Sequence, residues 1–99
     1  SHGTIVVDAG AERALLTMHK SLLPVGVKSV HDKFLKGDVV SVANEAGETL
    51  AQGIVNYDAE TLEKICGHKR EEIVKILGSE DYAEAIHCDN LVLLVGGDA

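Results

Sequence analysis

Short apolar runs alternate with helical stretches along this chain of 99 residues. Apolar, β-branched runs bounded by Gly, Pro, Asn or Asp are typical of strands. These runs predict strands over residues 4–7, 25–30, 38–43 and 50–57. A helix is predicted over residues 9–18, where Asp8 is suited to cap the first turn. Its expected buried face comprises Ala11, Ala14, Leu15 and Met18, which recur at helical spacing.

The pattern changes to a helical period after Asp58. This residue is expected to cap a helix over residues 59–66 that stops at Gly67. A second helix over residues 69–77 is expected to stop at Gly78. Both helices are predicted to dock on a β core through the apolar positions Leu62, Ile65, Ile73, Ile76 and Leu77.

Two features of the remaining strands bear on packing. The turn over residues 44–48 makes its flanking strands a predicted hairpin, and Gly53 in the second strand indicates a bulge or a close bend. Residues 91–95 form an uninterrupted apolar run. Such a run predicts a last strand that is buried on both faces.

The segment over residues 20–27 predicts a turn between the first helix and the second strand. Pro24 has no N–H and favours extended backbone at Leu23, while Gly26 accepts backbone angles that other residues resist. Gly37 then marks the entry to the next strand.

Composition indicates one small domain with an aliphatic core. Hydrophobic residues make up 45% of the chain and aromatic residues only 3%, so aliphatic packing must carry the stability. We expect residues 1–3 to be a tag remnant, residues 4–95 to form a single domain, and residues 96–99 to form a flexible tail. Two cysteines do not make a disulfide framework, and no signal peptide or membrane span is recognised. The sequence therefore predicts a cytoplasmic protein with no membrane partner.

Charge divides the chain into two unequal halves. The net charge is -7, but residues 1–40 carry five basic and four acidic residues, which gives +1. Residues 41–99 carry four basic and twelve acidic residues, which gives -8. Because each phosphate contact needs a cation and long-range repulsion slows encounter, a nucleic acid would have to approach the first half.

Several motifs in the same order resemble a known family. The segments over residues 7–15, 20–27 and 34–38 resemble the PUA domain, a small module named for pseudouridine synthases and archaeosine transglycosylases. Within that group, residues 21–24, 53–57, 65–67 and 86–93 resemble the C-terminal PUA domain of the glutamate 5-kinase family. The chain departs from that kinase family at His19, where the family usually has Gly, near Asp32, where it usually has Gly, and at Cys88, where it usually has Arg.

This resemblance implies both a fold and a role. The implied fold is α+β and mainly β: a PUA-like pseudo-barrel of about five to six strands, with a first short helix and two short helices before the last strand. The implied role is a non-catalytic accessory, regulatory or assembly domain that contacts its own kinase domain or neighbouring subunits. ATP and magnesium would bind in the preceding kinase domain, and no cofactor is expected in this fragment, which lacks a phosphate loop.

The resemblance also implies a surface for RNA. In the PUA group the first helix, the loop after it and the adjoining strands generally hold RNA, which selects Arg13, His19, Lys20 and Lys28 here as RNA or partner contacts. Four cations without aromatic platforms predict weak, salt-sensitive binding with little sequence specificity. An RNA-binding PUA module of an RNA-modifying enzyme is therefore an alternative to the kinase domain.

A small zinc-binding module is a further alternative. Cys66, His68, His87 and Cys88 supply the four ligands that a structural zinc ion needs. Their spacing is not that of a typical finger, and adjacent His87 and Cys88 would point to opposite faces of an extended strand. Nothing in the sequence indicates an oxyanion site beside either cysteine. We assign no catalytic residue and no metal ligand from the sequence.

Overall fold

Five strands form one mixed sheet in a computed structural model that describes residues 3–78 and 83–94. Their order across the sheet is β2 (Val27–His31), β1 (Thr4–Val7), β3 (Val39–Ala43), β4 (Thr49–Ile54) and β5 (Leu91–Leu93). Strands β1 and β3 are parallel, and the other neighbours are antiparallel. The helices are α1 (Ala9–Met18), α2 (Ala59–Ile65) and α3 (Arg70–Leu77). The predicted α+β, mainly β fold is confirmed, and within the described residues the sheet is open rather than a closed barrel.

Local sequence signals set most element boundaries. Strand β1, helix α1 and the hairpin of β3 with β4 lie where the pattern predicts them. Strand β2 begins two residues later than predicted because Pro24–Gly26 forms a 3-10 turn, closed by the Gly26 N–H donating to the Leu23 carbonyl at 3.0 Å. Strand β4 ends at Ile54, three residues earlier than predicted, because Asn56 forms a backbone hydrogen bond with a segment outside the sheet. The Asn56 N–H donates to the Ala85 carbonyl at 2.8 Å.

Capping residues fix the helix ends. The Asp8 carboxylate accepts the Ala11 N–H at 2.7 Å, and the Asp58 carboxylate accepts the Thr61 N–H at the same distance. Both predicted N-caps are therefore confirmed. Helix α3 ends at Gly78, which has a φ of 80°, a left-handed angle that glycine adopts without a steric penalty.

Removing the Asp58 cap is expected to cost about 0.5 to 2 kcal/mol of unfolding free energy, since Asp58→Ala leaves the Thr61 N–H without its partner. Hydrogen bonds from Thr61 lower the pKa of Asp58, so its charge stabilises the fold above the ordinary aspartate pKa and this contribution is lost as the pH falls through the lowered value. Asp58→Asn keeps a side-chain oxygen acceptor but does not titrate. Urea unfolding at neutral and acidic pH should therefore show the wild type losing stability relative to Asp58→Asn in acid, and parallel losses would contradict this.

The core lies on one face of the sheet. Alternate strand positions supply its centre, and these side chains are fully buried: Ile5, Val7, Val40, Val42 and Ala51. The helices pack into the same cluster through Leu15, Leu62, Ile65 and Ile73. Phe34 is buried in it as well. The aromatic-poor core that composition predicts is confirmed.

Three predicted core positions are wrong. Met18 is 53% exposed at the last turn of α1, and Ile76 is 43% exposed because α3 buries Ile73 and leaves the neighbouring stripe open. Val92 is 63% exposed because β5 is an edge strand whose second face is uncovered, so the last strand is not buried on both sides. Val95 of the predicted strand lies outside the described residues.

Gly53 lies where three backbone segments meet. It pairs with Val40 on one side and Leu91 on the other. A Cβ at this position would lie 2.8 Å from both the Asn90 carbonyl oxygen and Ile86 Cγ2. Close packing against the turn before β5 therefore requires glycine here, while the irregularity in the β3–β4 ladder lies elsewhere, between Val42 and Ala43, and not at Gly53 as a bulge there would require.

Candidate functional site

The four predicted contact residues lie on α1, the loop after it and β2. Arg13 is exposed on α1, and His19 ends that helix with a left-handed φ of 51°. Exposed Lys20 follows. Lys28 is the extra residue of a bulge, because Val7 pairs with Val27 while Val6 pairs with Ser29. All four side chains face solvent, and two of them, His19 and Lys20, line cavities.

A groove of about 290 Å³ separates α1 from the proline turn. The groove is narrow because Gly26 has no side chain to hold the proline turn away from α1. A Cβ there would lie 2.7 Å from Ala11 Cβ. Lys20 and the exposed Leu23 line the groove. A smaller cleft of about 30 Å³ is lined by His19, Lys20, Cys88 and Leu93, among others. Arg13 and Lys28 line neither cavity, so the structure groups only His19 and Lys20.

The groove has one basic residue, Lys20, and one acidic residue, Asp8, in its walls, whereas a larger cavity has mainly acidic walls. That cavity, about 430 Å³, lies between the β2–β3 loop and α2. Asp32, Glu60 and Glu63 line it together with a single lysine, Lys33. Phosphate groups would be repelled there. Buried Tyr57 and Phe34 offer no exposed ring on which a base could stack.

The four proposed zinc ligands do not come together. Cys66 is half-buried and donates its thiol to the Glu63 carbonyl at 3.3 Å. Burial raises the pKa of the Cys66 thiol, which makes it a poor nucleophile. His68 lies 3.3 Å from the Glu72 carboxylate. Among residues 3–78 and 83–94, the group of three or more metal-capable side chains is His87, Cys88 and Asp89, so the four-residue hypothesis is not supported.

The condition under which His87 and Cys88 would point to opposite faces, an extended strand, is not met. Cys88–Asn90 forms a 3-10 turn rather than extended strand, and His87 caps it by accepting the Asp89 N–H at 3.0 Å. The Cys88 thiol therefore lies on the same side as the His87 ring, 3.9 Å from its Nδ1. The Asp-Asn dipeptide that follows the cysteine was the sequence signal for this turn.

An apolar patch on the outer face of the sheet was not assigned from the sequence. Val39 and Ile54 are register partners, and each is 42% exposed. Ser41 pairs with Gln52, which pairs in turn with Val92. We call these five residues the outer patch; it crosses three strands and contains no charge. The alternation of exposed Val39 with buried Val40 is visible in the fold, whereas in the sequence both are valines.

Helix length excludes a helical membrane span in the part of the chain that the structure describes. The ten-residue α1 is far shorter than a bilayer-spanning helix, and α2 and α3 are shorter still.

Comparison with known families gives one match that covers most of the chain. The family model described as PUA domain matches residues 3–77. Among curated proteins, a glutamate 5-kinase of Dictyoglomus thermophilum is 50% identical over 97 residues, which is 98% of this chain and 26% of that protein. A glutamate 5-kinase of Brucella anthropi is 47% identical over 97 residues, 98% of this chain and 25% of that protein. The chain thus spans about a quarter of the length of the curated relatives it matches.

Solved structures give the same fold. A PUA domain of Aeropyrum pernix, crystallised as a tartrate complex, superposes with a TM-score of 0.68 at 26% identity, covering 99% of this chain and 45% of that one. The archaeal box H/ACA sRNP Nop10-Cbf5 complex contains a chain that superposes with a TM-score of 0.59 at 14% identity, covering 92% of this chain and 23% of that one. The second likeness concerns the fold alone.

Proposed function

The chain belongs to the PUA domain family, and from that membership we propose that it is the non-catalytic, C-terminal accessory domain of a glutamate 5-kinase. Support comes from near 50% identity over almost all of this chain and only a quarter of each kinase. In this proposal the remaining three quarters of the parent bind ATP, magnesium and glutamate in the cytoplasm. This domain contributes contacts and no catalytic residue.

The outer patch is the observation that carries the proposal. Three half-exposed aliphatic side chains and two neutral polar ones cover adjacent strands in a chain of which 25% is charged. Apolar surface of this kind is stabilised when a partner removes it from water. The occupant we assign is the kinase domain of the same polypeptide, since tethering gives it a high effective concentration at this face. Neighbouring subunits are the next partners in an assembled enzyme.

Side-chain labelling tests this docking. Hydroxyl-radical footprinting of the full-length parent and of this chain alone should show slower labelling of Ile54 and Val92 in the parent, because the kinase domain shields them. Leu35 is 70% exposed and lies outside the outer patch, so its labelling is the matched control and should not change. Equal labelling of Val92 in both proteins would contradict docking on this face.

The reading frame upstream of Gly3 tests the parent itself. We expect an amino-acid kinase domain there, whose removal abolishes glutamate phosphorylation while this chain remains folded. An RNA-modifying domain in that position would overturn the proposed parent and favour the alternative function.

Weak RNA binding is a second candidate, favoured by the position of Lys20 in the groove beside α1. We propose that the RNA is held only through its phosphate backbone, which is contacted by Arg13, His19, Lys20 and Lys28. With at most four phosphates neutralised, raising salt from about 50 to about 200 mM should weaken binding of single-stranded RNA by at most about 50-fold.

Fluorescence anisotropy with a labelled single strand measures this loss. Lys20→Ala should lower the affinity and flatten the salt dependence, because it removes one of the cations. Lys33→Ala is the control, since Lys33 lies in the acidic cavity and its loss should have no effect. No binding by the wild type at the lower salt concentration would remove the RNA candidate for this chain.

A further inference from the structure

The turn before β5 presents three different donor atoms to one point in solvent. His87 Nδ1 lies 3.7 Å from an oxygen of the Asp89 carboxylate and 3.9 Å from Cys88 Sγ. Cys88 Sγ lies 4.0 Å from Asp89 Oδ1, whereas the oxygen near His87 is Oδ2. The nitrogen and the sulfur thus approach different oxygens of the one carboxylate, and a single oxygen lies within 4.8 Å of both, so the three side chains form a donor triangle.

The size of this triangle matches a metal ion. Donors that surround a tetrahedral zinc ion at bonds of about 2.0 to 2.3 Å lie roughly 3.3 to 3.8 Å from one another. The separations of 3.7, 3.9 and 4.0 Å exceed that range by about 0.2 Å at most, and rotation of the Asp89 carboxylate would bring one of its oxygens toward both other donors. Imidazole and thiolate favour zinc-class ions over magnesium or calcium, which take oxygen ligands.

The backbone of the turn is already fixed. The Cys88 N–H donates to Ser21 Oγ at 2.8 Å, and the Asn90 N–H donates to the His87 carbonyl at 2.8 Å. Because His87 Nδ1 accepts the Asp89 N–H, the neutral ring carries its proton on Nε2 and presents an unprotonated nitrogen on the side of the thiol. That lone pair is available to an ion that replaces the Asp89 N–H.

We propose that His87, Cys88 and Asp89 bind one divalent ion of the zinc class, with water in the fourth position. On binding, a metal–sulfur bond forms, the S–H bond breaks and its proton passes to solvent. Thiolate and carboxylate together neutralise the ion's two charges, while Lys20, in the cleft that Cys88 also lines, opposes binding. All three ligands lie in the turn before β5, which the Cys88 N–H already joins to Ser21 in the loop after α1.

Titration of the reduced chain with cobalt and zinc salts tests the site. We expect one ion per chain, a thiolate-to-cobalt charge-transfer band, and release of about one proton per zinc ion near neutral pH. Cys88→Ser should abolish the band and lower zinc affinity at least about tenfold, because removing even outer partners of a ligand costs that much. His87→Asn, which can still cap the turn, and Asp89→Asn should each weaken binding.

Cys66→Ser is the matched control, since Cys66 is outside the cluster and should leave both band and affinity unchanged. Circular dichroism of each variant without metal confirms that it is folded. The proposal is overturned if the wild type binds less than one ion, or if folded Cys88→Ser binds zinc as tightly as the wild type. Equal losses in the two cysteine variants would also overturn it. None of these outcomes depends on kinase activity, so they leave the proposed function to its own tests.

Discussion

Leu22→Ala is expected to lower the free energy of unfolding by about 2 to 5 kcal/mol. Leu23→Ala, one residue further along, is expected to lower it by less than about 1 kcal/mol, because much of that side chain already contacts water. The pair isolates burial from residue type, since both changes remove the same atoms.

The difference follows from how the two leucines are held. Leu22 is 1% exposed and forms a bridge with Ile86, whereas Leu23 is 46% exposed. The Leu22 N–H donates to the Ile86 carbonyl at 2.9 Å, and its own carbonyl accepts the Ala85 N–H at 2.7 Å. These bonds hold the backbone in place, so the cavity left by Leu22→Ala cannot collapse. Leu23 lines two open grooves instead.

Urea unfolding of both variants provides the measurement. The midpoint of Leu22→Ala should fall clearly while the dependence on urea stays near that of the wild type, so that the shift reports stability. Equal midpoints for the two variants would contradict the difference in burial between the two leucine side chains.

Gly53→Ala is expected to destabilise the domain by about 1 to 3 kcal/mol, the usual cost of overpacking a closed site. The new Cβ would meet the Asn90 carbonyl oxygen, which belongs to the backbone and cannot rotate away. Relief would require β4 and the turn before β5 to separate. The cysteine and aspartate of that turn would then be displaced as well.

Gly10→Ala is the control, for which we expect a gain in stability rather than a loss. Gly10 lies in the first turns of α1, and a Cβ there would meet only the Asp8 carboxylate, at 3.5 Å. Alanine should stabilise this helix position by roughly 0.5 to 1 kcal/mol. Thermal unfolding of both variants measures the two shifts, and a loss of stability in Gly10→Ala would contradict the open environment seen at that position.

Local structure was readable in the sequence because its causes are local. Asp8 and Asp58 each cap the helix that follows, and Pro24 with Gly26 turns the chain, whatever the rest of the fold does. Burial was less predictable. Whether Val92 is covered depends on which strand lies at the sheet edge, and the choice between Leu22 and Leu23 depends on a segment more than sixty positions away.

The candidate functional surfaces show the same contrast between local causes and causes that depend on the whole fold. The basic residues could be assigned to the first helix, its loop and the next strand, but that only His19 and Lys20 share a cleft depends on how α1 packs beside β5. The donor triangle depends on one local choice, a 3-10 turn in place of extended strand after His87. Extended backbone would have separated its thiol and imidazole. The outer patch depends on the order of the strands in the sheet, which cannot be predicted from any one segment of the sequence.

The contact between Ser21 and Cys88 has a consequence for how the domain folds during synthesis. Its two residues are 67 positions apart, and the neighbouring Leu22–Ile86 bridge has a similar span. At a synthesis rate of about 5 to 20 residues per second, the ribosome needs roughly 3 to 13 s to make the second partner after the first. Until then β4 has no β5 beside it, and Leu22 has no partner strand. This domain therefore completes its folding only after Ile86 and Cys88 have been synthesised, and a nascent chain halted before Ile86 is expected to be sensitive to proteases.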